Sequence, residues 1–212
     1  MGGTGAVAFD DNGTKIYYPV SGDGVKFIAY YPYTASLPDY KLPVNVSSQA
    51  DQSAIDVLYA PAGTAYSKTS PNAALLFEHK LVKLVFNISN GAGVTSPLTN
   101  ALTVAISNQQ TTGELNLVDG VVAITGTGAP TTINALVSNG GATAEAIVLG
   151  DTQNDKFTFT NAAGETFEAA VPDAVFERGK KYTYTVTLTK TDAVITGTIA
   201  SWVTGGGSVT AQ

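Results

Sequence analysis

The chain has 212 residues, of which 44% are apolar and only 13% charged, and its net charge is −6. A nucleic-acid binder needs clustered lysine and arginine to release counterions from phosphates, so this acidic composition excludes nucleic acid as a partner. Cysteine is absent, which excludes disulfides and thiolate metal sites. No uncharged run has the sustained hydrophobicity of a membrane span.

The first pattern along the chain is IYYPVSGDGVKFIAYYPY, residues 16–33, which holds five of the ten tyrosines. Its Tyr-Tyr-Pro motif occurs twice, as Tyr17, Tyr18, Pro19 and as Tyr30, Tyr31, Pro32. Alternation predicts a strand whose core face carries Val25, Phe27, Ala29 and Tyr31. Proline would end that strand because it lacks a backbone donor. Packing is therefore the favoured role of these rings, and stacking on a ligand is the alternative.

The segment DQSAIDVLYA, residues 51–60, is compatible with one helical turn in which Ile55, Leu58 and Tyr59 share a face. The following segment, ALLFEHKLVKLVFNIS, slips in phase between Leu81 and Val82. Odd-numbered positions form one set up to Leu81, and even-numbered positions form the apolar set from Val82 onward; the sets are Leu75, Phe77, His79, Leu81 and Val82, Leu84, Phe86, Ile88. A strand cannot bury both sets without a bulge or a change of sheet. The slip predicts a boundary between an N-terminal module, residues 1–76, and a C-terminal sandwich, residues 77–212.

A period of two dominates the second module. The clearest run is KYTYTVTLTK, residues 181–190, in which Tyr182 and Tyr184 begin an apolar face opposite a threonine face. Further runs are ALTVAIS, GELNLVDG, GVVAITGT, AEAIVL, KFTFT, TFEAAV and DAVITGTIASW. Glycine-, asparagine- and aspartate-rich breaks separate them, as in antiparallel hairpins. The pattern predicts an all-β fold with seven or eight strands after residue 77.

Candidate catalytic residues are few. His79 is the single histidine, which excludes a multi-histidine metal site within one chain. Carboxylates pair in turn-like segments, where aspartate commonly bonds to the local backbone; the pairs are Asp10/Asp11, Asp51/Asp56, Asp151/Asp155 and Glu165/Glu168. No phosphate-binding loop is present. We therefore expect no catalytic, cofactor or metal site, and a protein that is not an enzyme.

Four blocks together resemble the fimbrillin family, the Mfa-like and FimA-type proteins of Gram-negative anaerobes. They are the two Tyr-Tyr-Pro motifs, DQSAIDVLYA, FEHKLVKLVFNIS and FERGKKYTYTVTLTKTDAVITGTIASWVTGG. The resemblance implies two tandem transthyretin-like, Greek-key β-sandwiches, the first of them incomplete here. It also implies export as a lipoprotein and a place in fimbriae attached to the outer membrane, as a type V pilus subunit, tip or accessory protein. The partners would be other pilus subunits joined by donor-strand exchange, together with a host glycan or protein.

The family positions that carry over are structural. Besides the Tyr-Tyr-Pro residues they are Phe77, His79, Leu81, Lys83, Phe86 and Trp202. Fifteen residues and no cysteine precede the first block, so the signal peptide and lipobox are expected to lie outside the chain shown. The tail after Trp202, VTGGGSVTAQ, has few apolar residues and is expected to be a poor donor strand. The alternative function is a surface glycan-binding module that uses exposed tyrosines.

Overall fold

The structure is a computed structural model that describes residues 17–153, 155–190, 192–202 and 206–210. Within these residues the helices are one short α-helix, α1 (Gln52–Ile55), and two 3-10 turns, Pro38–Tyr40 and Asn139–Gly141. The all-β prediction is confirmed. The strands are, in chain order, β1 (Ala29–Tyr31), β2 (Lys41–Asn45), β3 (Leu58–Ala60), β4 (Asn72–Leu76), β5 (Glu78–His79), β6 (Val82–Asn90), β7 (Thr103–Gln109), β8 (Thr112–Asn116), β9 (Val121–Ile124), β10 (Thr131–Asn134), β11 (Leu136–Ser138), β12 (Thr143–Val148), β13 (Lys156–Thr160), β14 (Thr166–Ala170), β15 (Lys180–Thr189), β16 (Asp192–Ser201) and β17 (Gly206–Thr210).

Two sheets form a sandwich. The larger has the order β11-β12-β6-β15-β16 and the smaller the order β10-β7-β13-β14. β6 lies at the centre of the larger sheet, antiparallel to β12 and parallel to β15. The ring of Phe86 on β6 contacts those of Phe157 and Phe159 on β13, at centroid distances of 4.9 and 6.1 Å. The two sheets therefore pack face to face.

The alternation in the sequence explains these strands. On β15 the side chains of Tyr182, Tyr184, Val186 and Leu188 are buried, and the intervening threonines lie on the outer face. Each large apolar side chain stabilises the fold by about 1.5–3 kcal/mol when it leaves water. Edge-to-face and stacked contacts among the core rings add to this term. The ring of Tyr184, for example, stacks 5.6 Å from that of Phe86.

A three-stranded sheet, β2-β8-β9, extends the core of the sandwich. β2 pairs with β8 in antiparallel register, with Leu42 opposite Leu115, and both side chains are buried in the same apolar cluster as Phe86. β2 thus joins the first 76 residues to the rest of the chain through backbone hydrogen bonds and shared core contacts. The division at residues 76 and 77 into two separate modules stays a prediction, as does a tandem pair of complete sandwiches.

The phase slip coincides with a change of sheet. β5 pairs with β3 in a separate three-stranded sheet, β1-β3-β5, whereas β6 starts three residues later in the sandwich. Leu81 and Val82 are adjacent in sequence and both fully buried. The backbone can bury both because Lys80 and Leu81 turn between sheets, with the Lys80 N–H donating to the Val57 carbonyl over 2.8 Å.

The predicted helical turn is shorter than the sequence suggested. α1 ends at Ile55, and the Asp51 carboxylate accepts from the backbone N–H groups of Ser53 and Ala54 at its start. Leu58 and Tyr59 are not on its face, since they belong to β3. Asp56 has extended backbone angles, φ −74° and ψ 116°, which end the helix and begin the approach to the strand. Burial of Val57 and Tyr59 in the core outweighs the weak helical pattern.

Candidate functional site

Three side chains from distant parts of the chain meet at the change of sheet. The imidazole of His79 stacks on the indole of Trp202, with centroids 3.7 Å apart and planes 6° from parallel. Its Nδ1 lies 2.8 Å from Oδ1 of Asp56. The His79 and Asp56 side chains are only 11% and 19% exposed. We call His79, Trp202 and Asp56 the seam cluster, and its contacts hold the end of β16 against β5.

The seam cluster also orients the chain that follows the sandwich. The Trp202 N–H donates to the Gly179 carbonyl over 2.9 Å, and the Gly179 N–H donates to the Leu81 carbonyl over the same distance. Trp202 is therefore held both by its ring and by its backbone.

The second Tyr-Tyr-Pro motif lies on the β1-β3-β5 sheet. Tyr30 is opposite Tyr59, and Tyr31 is opposite Leu58, which in turn is opposite His79. Tyr30 packs against the core, whereas Tyr31 is 41% exposed. The sequence pattern had placed Tyr31 on the core face, and this was wrong. The strand starts only at Ala29, so the alternation that begins at Val25 does not continue through it in one plane.

The first motif lies beside residues 66–71. The Tyr18 hydroxyl donates to the Pro71 carbonyl over 2.9 Å, and the ring meets that of Phe27 edge-on at 6.4 Å. Tyr17 is 70% exposed. Pro19 and Pro32 are both half-buried, and the Tyr31–Pro32 peptide bond is cis. Of the four motif tyrosines, Tyr18 and Tyr30 are thus packing residues, and Tyr17 and Tyr31 present rings to solvent.

The remaining family positions run from β4 into β6. Phe77 is half-buried, and Leu81 and Phe86 are fully buried. The Lys83 ammonium lies 2.6 Å from the Glu145 carboxylate and also donates to the side-chain oxygen of Gln52, which ties α1 to the sandwich. These positions have packing contacts in the structure, and their functional role stays a prediction.

The C-terminal tail returns to the N-terminal part of the chain. β17 pairs with β4 in antiparallel register, with Gly206 opposite Leu76 and Thr210 opposite Asn72. Leu76 is 67% exposed, and Ala73 on the other parity of β4 is buried. The two strands form a separate two-stranded sheet. β4 therefore has a hydrogen-bonding edge that is filled by the chain's own last strand.

The acidic pairs have local or ion-pair partners. Glu168 pairs with Lys156 at 2.6 Å, Asp151 pairs with Arg178 at 3.1 Å, and Glu165 accepts from the Asn161 amide over 2.7 Å. Asp10 and Asp11 lie outside the described residues. Across the described ranges no group of three or more histidine and carboxylate side chains is arranged to hold a metal ion. In the same ranges no helix is long and apolar enough to span a membrane.

One shallow depression lies on the outer side of the β2-β8-β9 sheet. Lys41 and Glu114 form an ion pair of 2.6 Å within it, and the hydrogen bond that the ammonium donates to the Glu114 carboxylate raises the pKa of Lys41. The charge of this lysine is therefore paired with a carboxylate of the same depression. The lining residues are Pro38, Asp39, Lys41, Pro43, Gly113, Glu114 and Thr125.

Sequence reasoning had grouped Asp56 with the turn carboxylates and so missed its contact with His79. Twenty-three residues separate the two positions, and no local pattern relates them. The available signal was the half-buried histidine itself, because a ring nitrogen that leaves water needs a hydrogen-bond partner. Apart from the adjacent Glu78, which alternation places on the other side of the strand, DQSAID holds the nearest carboxylates that precede His79.

Comparison with known proteins gives a consistent result. The model of the Fimbrillin-like family matches residues 1–202. The chain is 37% identical over 205 residues to a protein assigned as fimbrium subunit Fim1C from Bacteroides uniformis, which covers 92% of this chain and 67% of that one.

Solved structures share the architecture. A crystal structure of a protein assigned to cell adhesion, also from Bacteroides uniformis, has a TM-score of 0.79 at 35% identity and covers 89% of this chain and 77% of the other. The tip fimbrial protein Mfa3 from Porphyromonas gingivalis, with a C-terminal truncation, has a TM-score of 0.51 at 8% identity and covers 78% and 71%. The likeness to Mfa3 therefore concerns the fold alone. The match to the family model and the 37% identical relative show that the chain belongs to the fimbrillin-like family.

Proposed function

We propose that the protein is a non-enzymatic structural component of cell-surface fimbriae, as a subunit, tip or accessory protein. The observation that carries this proposal is the family match over residues 1–202 together with the 37% identical fimbrium subunit. The all-β fold has one continuous apolar core that includes the aromatic side chains of both sheets, which suits a structural role. Attachment to the outer membrane is part of the same proposal.

We infer that assembly uses strand exchange at β4. The support comes from the β4–β17 pair, in which an edge next to the exposed Leu76 is covered by five residues of the chain's own tail. Two of those five, Gly206 and Gly207, have no side chain to bury. A strand from another subunit with alternating apolar residues would form the same backbone bonds and bury more surface. Such a strand would displace β17.

Immunogold electron microscopy tests the proposed function. Antibody raised against the purified chain should label filaments on cells that produce it, and deletion of the gene should remove or shorten those filaments. Mass spectrometry of the protein released from the same cells gives its mature N-terminus. Label confined to the cytoplasm, with unchanged filaments in the deletion strain, would contradict the proposal.

A competition assay tests strand exchange separately. Peptides that represent the last strands of candidate partner subunits should bind the chain from which residues 206–212 have been removed more tightly than the full chain. The matched control is a peptide of the same composition in which every apolar residue is shifted by one position. Its apolar side chains would then point to the other face of the strand, and it should bind more weakly beside Leu76. Equal binding of both peptides would argue against exchange at β4.

A glycan-binding module is the second candidate, and the exposed rings of Tyr17 and Tyr31 favour it. A glycan array would show specific binding that is lost in Tyr17→Ala or Tyr31→Ala and kept in Tyr40→Ala. Tyr40 is the control because it is as exposed as Tyr17 but lies on the 3-10 turn before β2. Binding that survives the first two changes would exclude these tyrosines as the platform.

A further inference from the structure

β16 is an edge strand of unusual length. Among the described strands its one pairing partner is β15, and it runs for ten residues. The other edges of the sandwich, β10, β11 and β14, have four, three and five residues. Natural proteins usually protect an edge by short length, charge, proline or a bulge. Residues 193–201 contain no charge and no proline, and their pairing with β15 is continuous.

β14 of the smaller sheet comes close to β16 without pairing with it, but the second half of β16 is exposed and partly apolar. Every residue from 196 to 201 is exposed, and Val194 and Ile199 are 57% and 54% exposed. Val194 lies on the outer face of the sheet, and Ile199 lies on the face of Tyr182, opposite which it is paired. Residue 197 is a glycine beside the ring of Tyr184, since a β-carbon at this position would lie 2.7 Å from Cδ1 of that ring.

The sequence at the centre of β16 is palindromic. Residues 195–199 read Ile-Thr-Gly-Thr-Ile, centred on Gly197. If two copies pair antiparallel about Gly197, Ile195 lies opposite Ile199 of the second copy, and Thr196 lies opposite Thr198 of the second copy. A two-fold axis perpendicular to the sheet produces this register and keeps the core faces of both copies on the same side. Apolar residues then meet apolar ones and threonines meet threonines, which are favourable cross-strand pairs.

Charge agrees with the same register. Asp192 is the single charged residue of β16, and the register places it opposite residue 202 of the second copy. No charged residue of β16 therefore stands opposite its own equivalent, even though the chain has a net charge of −6.

We propose that β16 pairs with β16 of a second copy to form a two-fold symmetric dimer through a continuous ten-stranded sheet. This contact goes beyond strand exchange, because an isologous interface closes on itself and does not propagate. It leaves β4 and the tail of both copies free. The contact joins two subunits side by side, and it would also join two fibres that contain them.

Lysine substitution tests the edge. The full chain should shift from monomer to dimer in sedimentation as its concentration rises through the micromolar range. Thr196→Lys/Thr198→Lys puts like charges directly opposite each other twice and should weaken dimerisation about tenfold or more. The matched control is Thr185→Lys on β15, which is exposed and pairs with Thr196 but does not face the second copy. A mixture with Thr196→Glu/Thr198→Glu should restore a heterodimer.

Disulfide trapping tests the register, since the chain has no other cysteine. Opposite residues in an antiparallel pair have Cα atoms about 4.5–5.5 Å apart, within the range of a disulfide. Thr196→Cys mixed with Thr198→Cys should therefore cross-link rapidly to a heterodimer. Each variant alone should cross-link slowly, because its two cysteines lie about 8 Å apart, with two residues of offset along the strand.

Either assay can overturn the proposal. A full chain that stays monomeric at the highest concentration, or a dimer weakened as much by Thr185→Lys as by the double lysine change, would show that β16 is not the interface. Equal cross-linking in the mixture and in the single variants would show that the register is wrong. Strand exchange at β4 would be unaffected by any of these results, because removal of residues 206–212 does not change β16.

Discussion

A glycine in the turn between β8 and β9 provides a test of how the N-terminal strands are anchored. Gly120 has φ of +72°, and a β-carbon added there would lie 2.4 Å from Cε1 of Tyr59 and 2.7 Å from Cδ1. Tyr59 cannot easily retreat, because it is 3% exposed and its hydroxyl donates to the Leu117 carbonyl over 3.0 Å. Gly120→Ala therefore strains the backbone and forces a buried ring to move.

The expected loss of stability has two parts. A residue with a β-carbon costs about 1–2 kcal/mol in the left-handed conformation, and overpacking a buried ring costs about 1–3 kcal/mol more. Gly120→Ala should thus lower the free energy of unfolding by about 2–5 kcal/mol. Gly164 is the matched control, since it has φ of +82°, bonds back to Asn161 as Gly120 does to Asn116, and has open space around it. Gly164→Ala should cost the strain alone.

Urea denaturation followed by circular dichroism and by the fluorescence of the single tryptophan, Trp202, measures both variants. Tyr59→Leu in the Gly120→Ala background removes the obstructing ring edge, so the double-mutant cycle should show favourable coupling. Equal losses in Gly120→Ala and Gly164→Ala would refute the reasoning. That result would mean that β3 does not pack on the β8–β9 turn.

Three further predictions concern the core, the ion pairs and alkaline pH. Phe86→Ala should lower the free energy of unfolding by about 3–5 kcal/mol in urea denaturation, and Phe77→Ala by clearly less, because Phe77 is half-buried. Lys83→Met should lower the free energy of unfolding by about 1–2 kcal/mol, because Glu145 and Gln52 lose a charged donor. Lys156→Met should leave the free energy of unfolding unchanged within error, because the Lys156–Glu168 pair is exposed. Burial raises the pKa of Tyr59, Tyr182 and Tyr184 above the ordinary value of 10. The unfolded chain therefore loses these protons at lower pH than the folded chain does. The free energy of unfolding should be unaffected by these groups below pH 10 and should fall as the pH rises further. A tyrosinate absorbance titration of the folded protein should show these three ionising above pH 10, and their ionisation at or below pH 10 would contradict the burial.

The features that local alternation determines were predictable from the sequence. β15 was recognised because burial of every second residue leaves a period of two, and the structure buries Tyr182 and Tyr184 as that period requires. The change of sheet at Leu81 was recognised for the same reason, since a slip of one residue reverses which side chains face the core. The short strands β10 and β11 were not recognised, because three or four residues are too few to show a period.

The features that depend on distant pairs were not predictable. β2 pairs with β8 across some seventy residues, and Asp56 meets His79 only after β3 and β5 have paired. Tyr30 rather than Tyr31 faces the core because the strand begins at Ala29, and a single residue of error in a strand start reverses the faces. The family resemblance identified the motif as structural, but it did not say which ring would be exposed.

The edges of β4 and β16 differ in a way that relates structure to the proposed assembly. The edge of β4 is short, is covered by the chain's own glycine-containing tail, and can be reopened without loss of the sandwich core. The edge of β16 is long, uncharged from Ala193 to Ser201 and palindromic about Gly197, and β15 is its one hydrogen-bonded partner among the described strands. An edge that must exchange its strand needs a weak occupant, whereas an edge that pairs with its own equivalent needs symmetry. The seam cluster lies between them in sequence, because Trp202 directly follows β16 and is held by its stacking on His79 and its backbone bond to Gly179. The two proposals can therefore be tested separately, strand exchange at β4 by changes in residues 206–212 and lateral pairing by changes in β16.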